Sequence, residues 1–296
     1  MLDRGLVVCN AKGGVGKSSI SAGIAANAAA TGHRTLLVDL DPGGSIDQDL
    51  GYRQSGDSDE GRTLYRAVVD TDPIEPLRDV RTGLDVVPAG DFTRAALALV
   101  LAGEVPPTRI ADRLEELGRH YELVVIDTPP ATTVALDVAL CAAHFLMMPV
   151  GADTGSLDGL ELVSERYQVI RGRGLNANLE LLGVVLFGMD PGQPRLYREV
   201  RADVEWELAG AAPVLDSFVR HRPRAARDMR RHGLVASEYL RAARESRGDP
   251  RSLTGADSFD ADAEGLAQDY WDLTSEVLES IDRRTSRMAL AGASVG

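Results

Sequence analysis

The sequence predicts a doubly wound α/β fold, a mostly parallel sheet with helices on both faces. Three observations predict it. Leu6-Val7-Val8 runs into the glycine-rich stretch Cys9–Ser19 and then into the small-residue segment Ile20–Ala30, the order strand, turn, helix N-terminus that holds phosphates. Thr35–Asp41 and Tyr121–Asp127 are apolar runs ending in aspartate, which is how buried parallel strands meet the ligand edge of such sheets. Ala142–Val150 and Leu181–Gly188 are further buried strands, with a helix from Ser156 to about Ile170 between them.

The loop comes first in the chain. Gly13, Gly14 and Gly16 let successive backbone N–H groups converge on one anion, because no Cβ blocks the approach. Lys17 would reach the β- and γ-phosphates, and the Ser18 hydroxyl would sit on Mg²⁺. The predicted nucleotide-binding set is therefore Lys12, Gly13, Gly14, Val15, Gly16, Lys17, Ser18 and Ser19. The ordinary pattern G-x-x-x-x-G-K-[ST] fails at its first position, where Ala11 stands, and a second lysine opens the loop instead. Lys12 and Lys17 are the only lysines in the chain; every other permanent cation is arginine. Arginine's planar fork is a poor substitute where a point charge must fit beside a phosphate.

Only five residues precede the first apolar run, which leaves no room there for a DNA-binding domain. After the first helix, Thr31-Gly32-His33 reads as a C-terminal cap. Strand alternation puts Asp39 and Asp41 on one side of the second strand's carboxyl end, the edge where ligands bind in such sheets. A pair of exposed turn aspartates before Pro42 is the plain alternative. Asp57–Gly61 is a polar loop, Thr63–Val68 begins a helix, Leu84–Gly90 is a strand leaving into a loop, and Ile110–His120 is a helix with Ile110, Leu114 and Leu117 on one face. Asp127, closing its apolar strand before Thr128-Pro129-Pro130, occupies the position where a carboxylate holds Mg²⁺ directly or through water.

The C-terminal third is more polar. Between residues 220 and 231 lie Arg220, Arg222, Arg224, Arg227, Arg230 and Arg231, opposed within the run only by Asp228. Two readings stand: a solvated helix face, or a patch that binds DNA phosphates by releasing counterions. Residues 241–265 read as a flexible polar insertion. Leu266, Tyr270, Val277, Leu278 and Ile281 then line one face of a closing amphipathic helix over about 264–284, and 287–296 read as a disordered tail. The expected organisation is one domain over 1–286.

Composition bounds the partners. The 296-residue chain carries a formal charge of −13, so any nucleic-acid contact must be a local patch rather than bulk attraction. Cys9 and Cys141 are too few and too far apart for a disulfide framework, and read as small buried side chains. No apolar stretch reaches the length of a membrane span and the N-terminus is not a signal peptide.

Lys12-Gly-Gly-Val-Gly-Lys17-Ser18, Asp39-Leu-Asp41-Pro42 and Asp127-Thr-Pro-Pro130 together resemble the ParA/MinD family of P-loop ATPases, whose deviant Walker A loop reads K-G-G-x-G-K-[ST]. The resemblance covers about residues 5 to 285 with one gap, and is nearest to Soj-like partition ATPases. It implies ATP and Mg²⁺ as cofactors and a catalytic set of Lys12, Lys17 and Asp41. Lys12 would reach across a nucleotide-sandwich homodimer, Asp41 would orient the attacking water, and Ser18, Asp39 and Asp127 would support the metal. It further implies slow, partner-stimulated hydrolysis, non-specific binding of duplex DNA, a centromere-binding ParB-like partner, and a place in the cytoplasm on the nucleoid. Two departures stand out: Gly43-Gly44-Ser45 replaces Q-G-N, and Phe187-Gly188-Met189-Asp190 does not match the loop that touches adenine in relatives. The alternative, a MinD-like membrane-positioning ATPase, needs an amphipathic anchor; Arg283, Arg284 and Arg287 do not segregate from Ile281, Met288 and Leu290, so a membrane is not expected. The family's iron–sulfur carriers need cysteines near the nucleotide, which Cys141 alone does not supply.

Overall fold

The computed structural model describes residues 2–53, 55–130, 133–152, 155–247 and 262–293. Eight strands among them form one sheet in the order β3-β4-β2-β5-β1-β6-β7-β8. These are β1 (Leu2–Val8), β2 (Thr35–Asp39), β3 (Leu77–Arg81), β4 (Leu84–Val87), β5 (Leu123–Asp127), β6 (Ala143–Val150), β7 (Glu180–Met189) and β8 (Val214–Arg220). All neighbours run parallel except β3, which returns antiparallel on β4 at the edge. β2, β5 and β6 are buried along their whole length, and both sheet faces are covered, so their sequences are largely apolar, with His144 a polar exception inside β6.

Helices cover both faces. On one side lie α3 (Arg62–Val69), α4 (Asp91–Leu101), α5 (Pro107–Gly118), α6 (Thr133–Ala142), α7 (Gly155–Gly172) and α8 (Pro194–Leu208), over a core that includes Leu64, Leu114, Leu140 and Val204. On the other lie α1 (Lys17–Ala30), the short α2 (Ile46–Asp49), α9 (Pro223–His232), α10 (Ala236–Arg247) and α11 (Ala263–Ala293), over a core that includes Ile24, Ile46, Tyr239 and Leu273. The doubly wound, mostly parallel prediction holds. α1 is built from small residues because it lies between the sheet and α11: Gly23 faces the Tyr270 ring, where an added Cβ would come within 2.5 Å.

Several boundaries differ from expectation. β1 starts at Leu2, not Leu6, because Leu2 and Gly5 already pair with β6 and β5. The supposed insertion at 241–265 is helical at both ends: 241–247 complete α10, whose Leu240 and Ala243 face α11, and α11 begins at Ala263. Residues 248–261 lie outside those described. The tail expected to be disordered is helical to Ala293, and only 294–296 fall outside the described residues. The edge strand β3, and α4, α8 and β8, gave no sequence signal; β3 mixes half-buried and exposed residues without alternation. The arginine run is not one helix face, since Arg220 closes β8, Arg222 precedes α9, and Pro223 opens it.

Candidate functional site

The phosphate loop spans the gap between β1 and α1 at the carboxyl edge of the sheet. Asn10, 2 % exposed, anchors its start: Nδ2 donates to the Pro149 carbonyl at 2.9 Å, and Oδ1 accepts from the Lys12 N–H at 2.9 Å. Gly159 on α7 packs on this turn, where a Cβ would strike Asn10 Oδ1. Gly14 and Gly16 have φ of +80° and +82°, the left-handed region that glycine enters without penalty. A Cβ on Gly16 would also meet the Phe187 ring at 2.3 Å. No acidic residue stands in the first turn of α1, so nothing on that turn competes for an anion.

Lys17 is 6 % exposed, and its ammonium donates to the Lys12 carbonyl at 2.8 Å. Burial pushes its pKa down, while Asp127, Cys9 and Asp41 push it back up. Lys12 sits half-exposed at the rim. Asp39 and Asp127 are register partners on β2 and β5, both buried, 1 % and 0 % exposed. Burial raises both carboxyls well above their ordinary value, and each feels a neighbouring acid. Ser21 donates to Asp127 Oδ1 at 3.0 Å and the Ser18 hydroxyl is also within its reach, yet Asp127 Oδ2 is buried with no hydrogen-bond partner. Two buried acids beside an unsatisfied oxygen and a hydroxyl fit a divalent cation. No cluster of three or more His, Cys, Asp or Glu side chains with metal-site geometry occurs among the described residues. A hard cation held by one or two protein oxygens and completed by phosphates is how Mg²⁺ is usually kept.

Asp41 lies in the turn after β2. Its Oδ1 accepts the Gly43 N–H at 2.8 Å, and its own N–H donates to Asp39 Oδ1 at 2.8 Å. Lys17, Ser18, Asp39, Asp41 and Asp127 lie within electrostatic or hydrogen-bond reach of one another, and Lys12 joins them through its backbone carbonyl, which accepts from Lys17. Cys9 is buried beside Lys17, with its thiol pKa pushed up by burial, and Cys141 is buried in α6; both are packing residues.

Beside the loop opens a cavity of about 200 Å³, lined by Gly14, Ser19, Asp49, Phe187 and the stretch Val219–Pro223. Half of the arginine run therefore belongs to this wall or its supports. Arg220 clamps Asp269 through Nε and a terminal nitrogen at 2.7 and 2.8 Å and reaches Asp262 at 2.9 Å; Arg222 also holds Asp262. Arg230 pairs with Asp49 at 3.0 Å. These acids come from α11, its preceding turn and α2, so the run is opposed by more than Asp228. The prediction that all six arginines form one patch is corrected on this point. Arg224, Arg227 and Arg231 remain exposed on one side of α9, with Asp228 3.9 Å from Arg224. Asn10, Gly159, Asp49, Asp262 and Asp269 were not anticipated. Asn10 had a signal, a polar residue at the end of an apolar strand, whereas the acids had none because their partners are 40 or more residues away.

A family model described as an AAA domain matches residues 4–181. The chromosome partitioning protein ParA of Myxococcus xanthus is 35% identical over 192 residues, 63% of this chain and 66% of that protein. The chromosome-partitioning ATPase Soj of Thermus thermophilus is 34% identical over 202 residues, 68% of this chain and 75% of that protein. The chain belongs to the ParA/MinD family of P-loop ATPases. Membership in that family implies ATP hydrolysis and a general role akin to partition. The fold agrees over more of the chain: the ATP complex of Cyanothece McdA superposes with a TM-score of 0.72 over 93% of this chain and 96% of that one, at 18% identity. No helix among the described residues is long and apolar enough to cross a membrane.

Proposed function

We propose that this ParA/MinD-family chain is a single-domain ATPase that dimerises on ATP, binds duplex DNA non-specifically in that state, and segregates DNA with a ParB-like centromere-binding partner. The observation that carries the reading is the loop's second cation. Lys17 is buried and committed to the loop carbonyl of Lys12, which suits it to the phosphates of its own subunit. Lys12 is half-exposed, and on this reading its ammonium serves a phosphate held by a second copy.

Hydrolysis needs little covalent help from the protein, so positioned groups suffice. The backbone of residues 13–19 cradles the phosphates, and Lys17 neutralises charge that develops on the bridging oxygen. Asp41, held by the Gly43 N–H, orients the attacking water. Ser18, Asp39 and Asp127 would hold Mg²⁺, which supplies charge neutralisation on the phosphate oxygens when bound. The base lies in the cavity between Phe187 and the β8–α9 junction. DNA phosphates are met by the exposed Arg224, Arg227 and Arg231, doubled when two subunits close. On this reading the protein works in the cytoplasm, on the nucleoid.

The test is Lys12→Ala in sedimentation with ATP and in steady-state turnover. The variant still binds ATP through Lys17 but loses the ATP-dependent dimer and most of its hydrolysis. A normal dimer with normal turnover rejects the reading. Retention on duplex DNA, run beside anionic liposomes, separates it from the membrane-positioning alternative.

A further inference from the structure

We propose that Arg230 and Arg81 are positioning residues for the hydrolytic turn: they fasten α2, and through it Asp41–Gly44, to the junction of α9 and α10. This rests on the ATPase reading of Asp41 above. From Asp41 to Asp49 the chain has little slack. The Gly44 N–H donates to the Asp41 carbonyl at 2.9 Å, and the Gln48 and Asp49 N–H groups donate to the Ser45 carbonyl at 3.1 and 2.9 Å. Asp41 is tied to β2 through Asp39 Oδ1, and the far end of α2 bears on how the other side of the turn is held.

Three separate contacts fix that far end. Asp49 is 6 % exposed and pairs through Oδ1 with Arg230, while its Oδ2 is buried with no hydrogen-bond partner. Ser19 also lies within hydrogen-bond reach of this carboxylate, but its counter-charge is Arg230, itself half exposed, and removing that cation leaves a buried acid uncompensated. Arg81, on the edge strand β3, donates to the Leu50 carbonyl at 3.2 Å and to the Gly233 carbonyl at 2.8 Å, and its Nε reaches Glu238 of α10. Glu238 in turn accepts the Val235 N–H at 3.1 Å. One guanidinium thus ties the ends of α2 and α9 to the start of α10, which only a planar fork with several donors can do. Last, the backbones of Gly51 and Gly233 touch, at φ of +76° and +63°; a Cβ on Gly233 would come within 2.2 Å of Gly51 Cα. None of these groups needs to touch the phosphates. A side chain that braces the turn locally, beside the Asp41 N–H and Gly43 N–H bonds, is Arg53, which holds Asp47 at 2.6 Å and the Gly44 carbonyl at 3.2 Å.

The experiment uses the whole chain, with ATP turnover and hydrogen exchange of the amides of residues 41–50 measured on the same samples. The variants are Arg230→Ala, Arg230→Lys, Asp49→Asn, the double Arg230→Ala/Asp49→Asn, and Arg195→Ala on α8 as a surface-charge control. Arg230→Ala lowers kcat about tenfold with KM within about twofold, and speeds exchange at 41–50. Arg230→Lys recovers part of both. The double variant is no worse than Arg230→Ala alone, because the stranded carboxylate is gone. Arg195→Ala matches the wild type. If Arg230→Ala and Asp49→Asn keep wild-type kcat and exchange, Arg53 suffices and the proposal is overturned; additive losses in the double variant overturn it too. Should the wild type itself fail to hydrolyse ATP, the ATPase reading falls, and the exchange data still decide the coupling of Arg230 to the turn.

Discussion

Asp127→Asn tests the carboxylate pair with two effects of opposite sign. Asp39 and Asp127 face each other across neighbouring strands, about 4.8 Å apart in the sheet. At an effective dielectric of about 20, two unit charges at that spacing repel by roughly 3 kcal/mol. Burial already favours protonating one member, and Lys17 offsets part of the rest, so removing one charge should stabilise the nucleotide-free protein by about 1 kcal/mol. Asparagine keeps an oxygen for the Ser21 hydroxyl, which limits the structural cost. For a chain of this size that gain is a rise in Tm of about 1.5–2 °C. With Mg²⁺ and ATP the order reverses. At a hundred times Kd, ligand stabilises the wild type by about 2.7 kcal/mol, and the variant should lose most of that. The assay is thermal unfolding by circular dichroism, with and without Mg²⁺–ATP. A variant less stable than the wild type without ligand, yet still stabilised fully by Mg²⁺–ATP, would refute the reasoning.

Other outcomes follow from named groups. Asp41→Ala keeps the phosphate and metal groups but loses the oriented water, so it should accumulate the ATP-bound dimer with turnover reduced about a hundredfold, read by sedimentation and phosphate release. Replacing both Arg227 and Arg231 by alanine should weaken ATP-dependent retention on duplex DNA and flatten the slope of log affinity against log salt by about 0.9 per lost phosphate contact; an unchanged slope removes α9 from the DNA surface. His144 is 3 % exposed, stacks on Phe145, has both ring nitrogens without partners, and burial holds its pKa below 6.5. Its neutral form is the folded one, so stability is intact above about pH 6.5 and falls as the pH drops, when the unfolded chain takes the proton more readily. Urea midpoints at pH 7 and pH 5 should differ less in His144→Phe than in the wild type; an equal difference in both assigns the acid sensitivity to other groups.

The centre of the sheet and its ligand edge were legible because they are local. A buried parallel strand needs an unbroken apolar run, and a phosphate loop needs glycines and a lysine at fixed spacing, so β1, β2, β5 and the Lys12–Ser19 loop show in short windows. The edges were not legible for the opposite reason. β3 is half-exposed and β8 carries Asp216 and Ser217 among its apolar residues, so neither has a clean period. The arginine run misled because charge in sequence says nothing about what lies opposite in space: Arg220 meets Asp269 49 residues away, and Arg230 meets Asp49 at a distance of 181 residues. Polar composition at 241–247 suggested flexibility, but Leu240 and Ala243 turn inward and are enough to hold that end of α10.

The central position of β1 bears on the order in which the molecule can be made. Leu6 pairs on one side with Val125 and on the other with Phe145, and Asn10 is held by the Pro149 carbonyl. The phosphate loop leaves the ribosome before the strands that frame it, and the contact between Asn10 and Pro149 forms only once a further 139 residues have followed. Contacts of such long sequence separation close slowly, because the intervening chain must be ordered before they yield any stability. Until then Leu6, Val7 and Val8 are an apolar segment without neighbours, the kind of surface that chaperones cover during synthesis. ATP can therefore act as a ligand that secures the finished sheet, but not as a template on which its first strand is laid down.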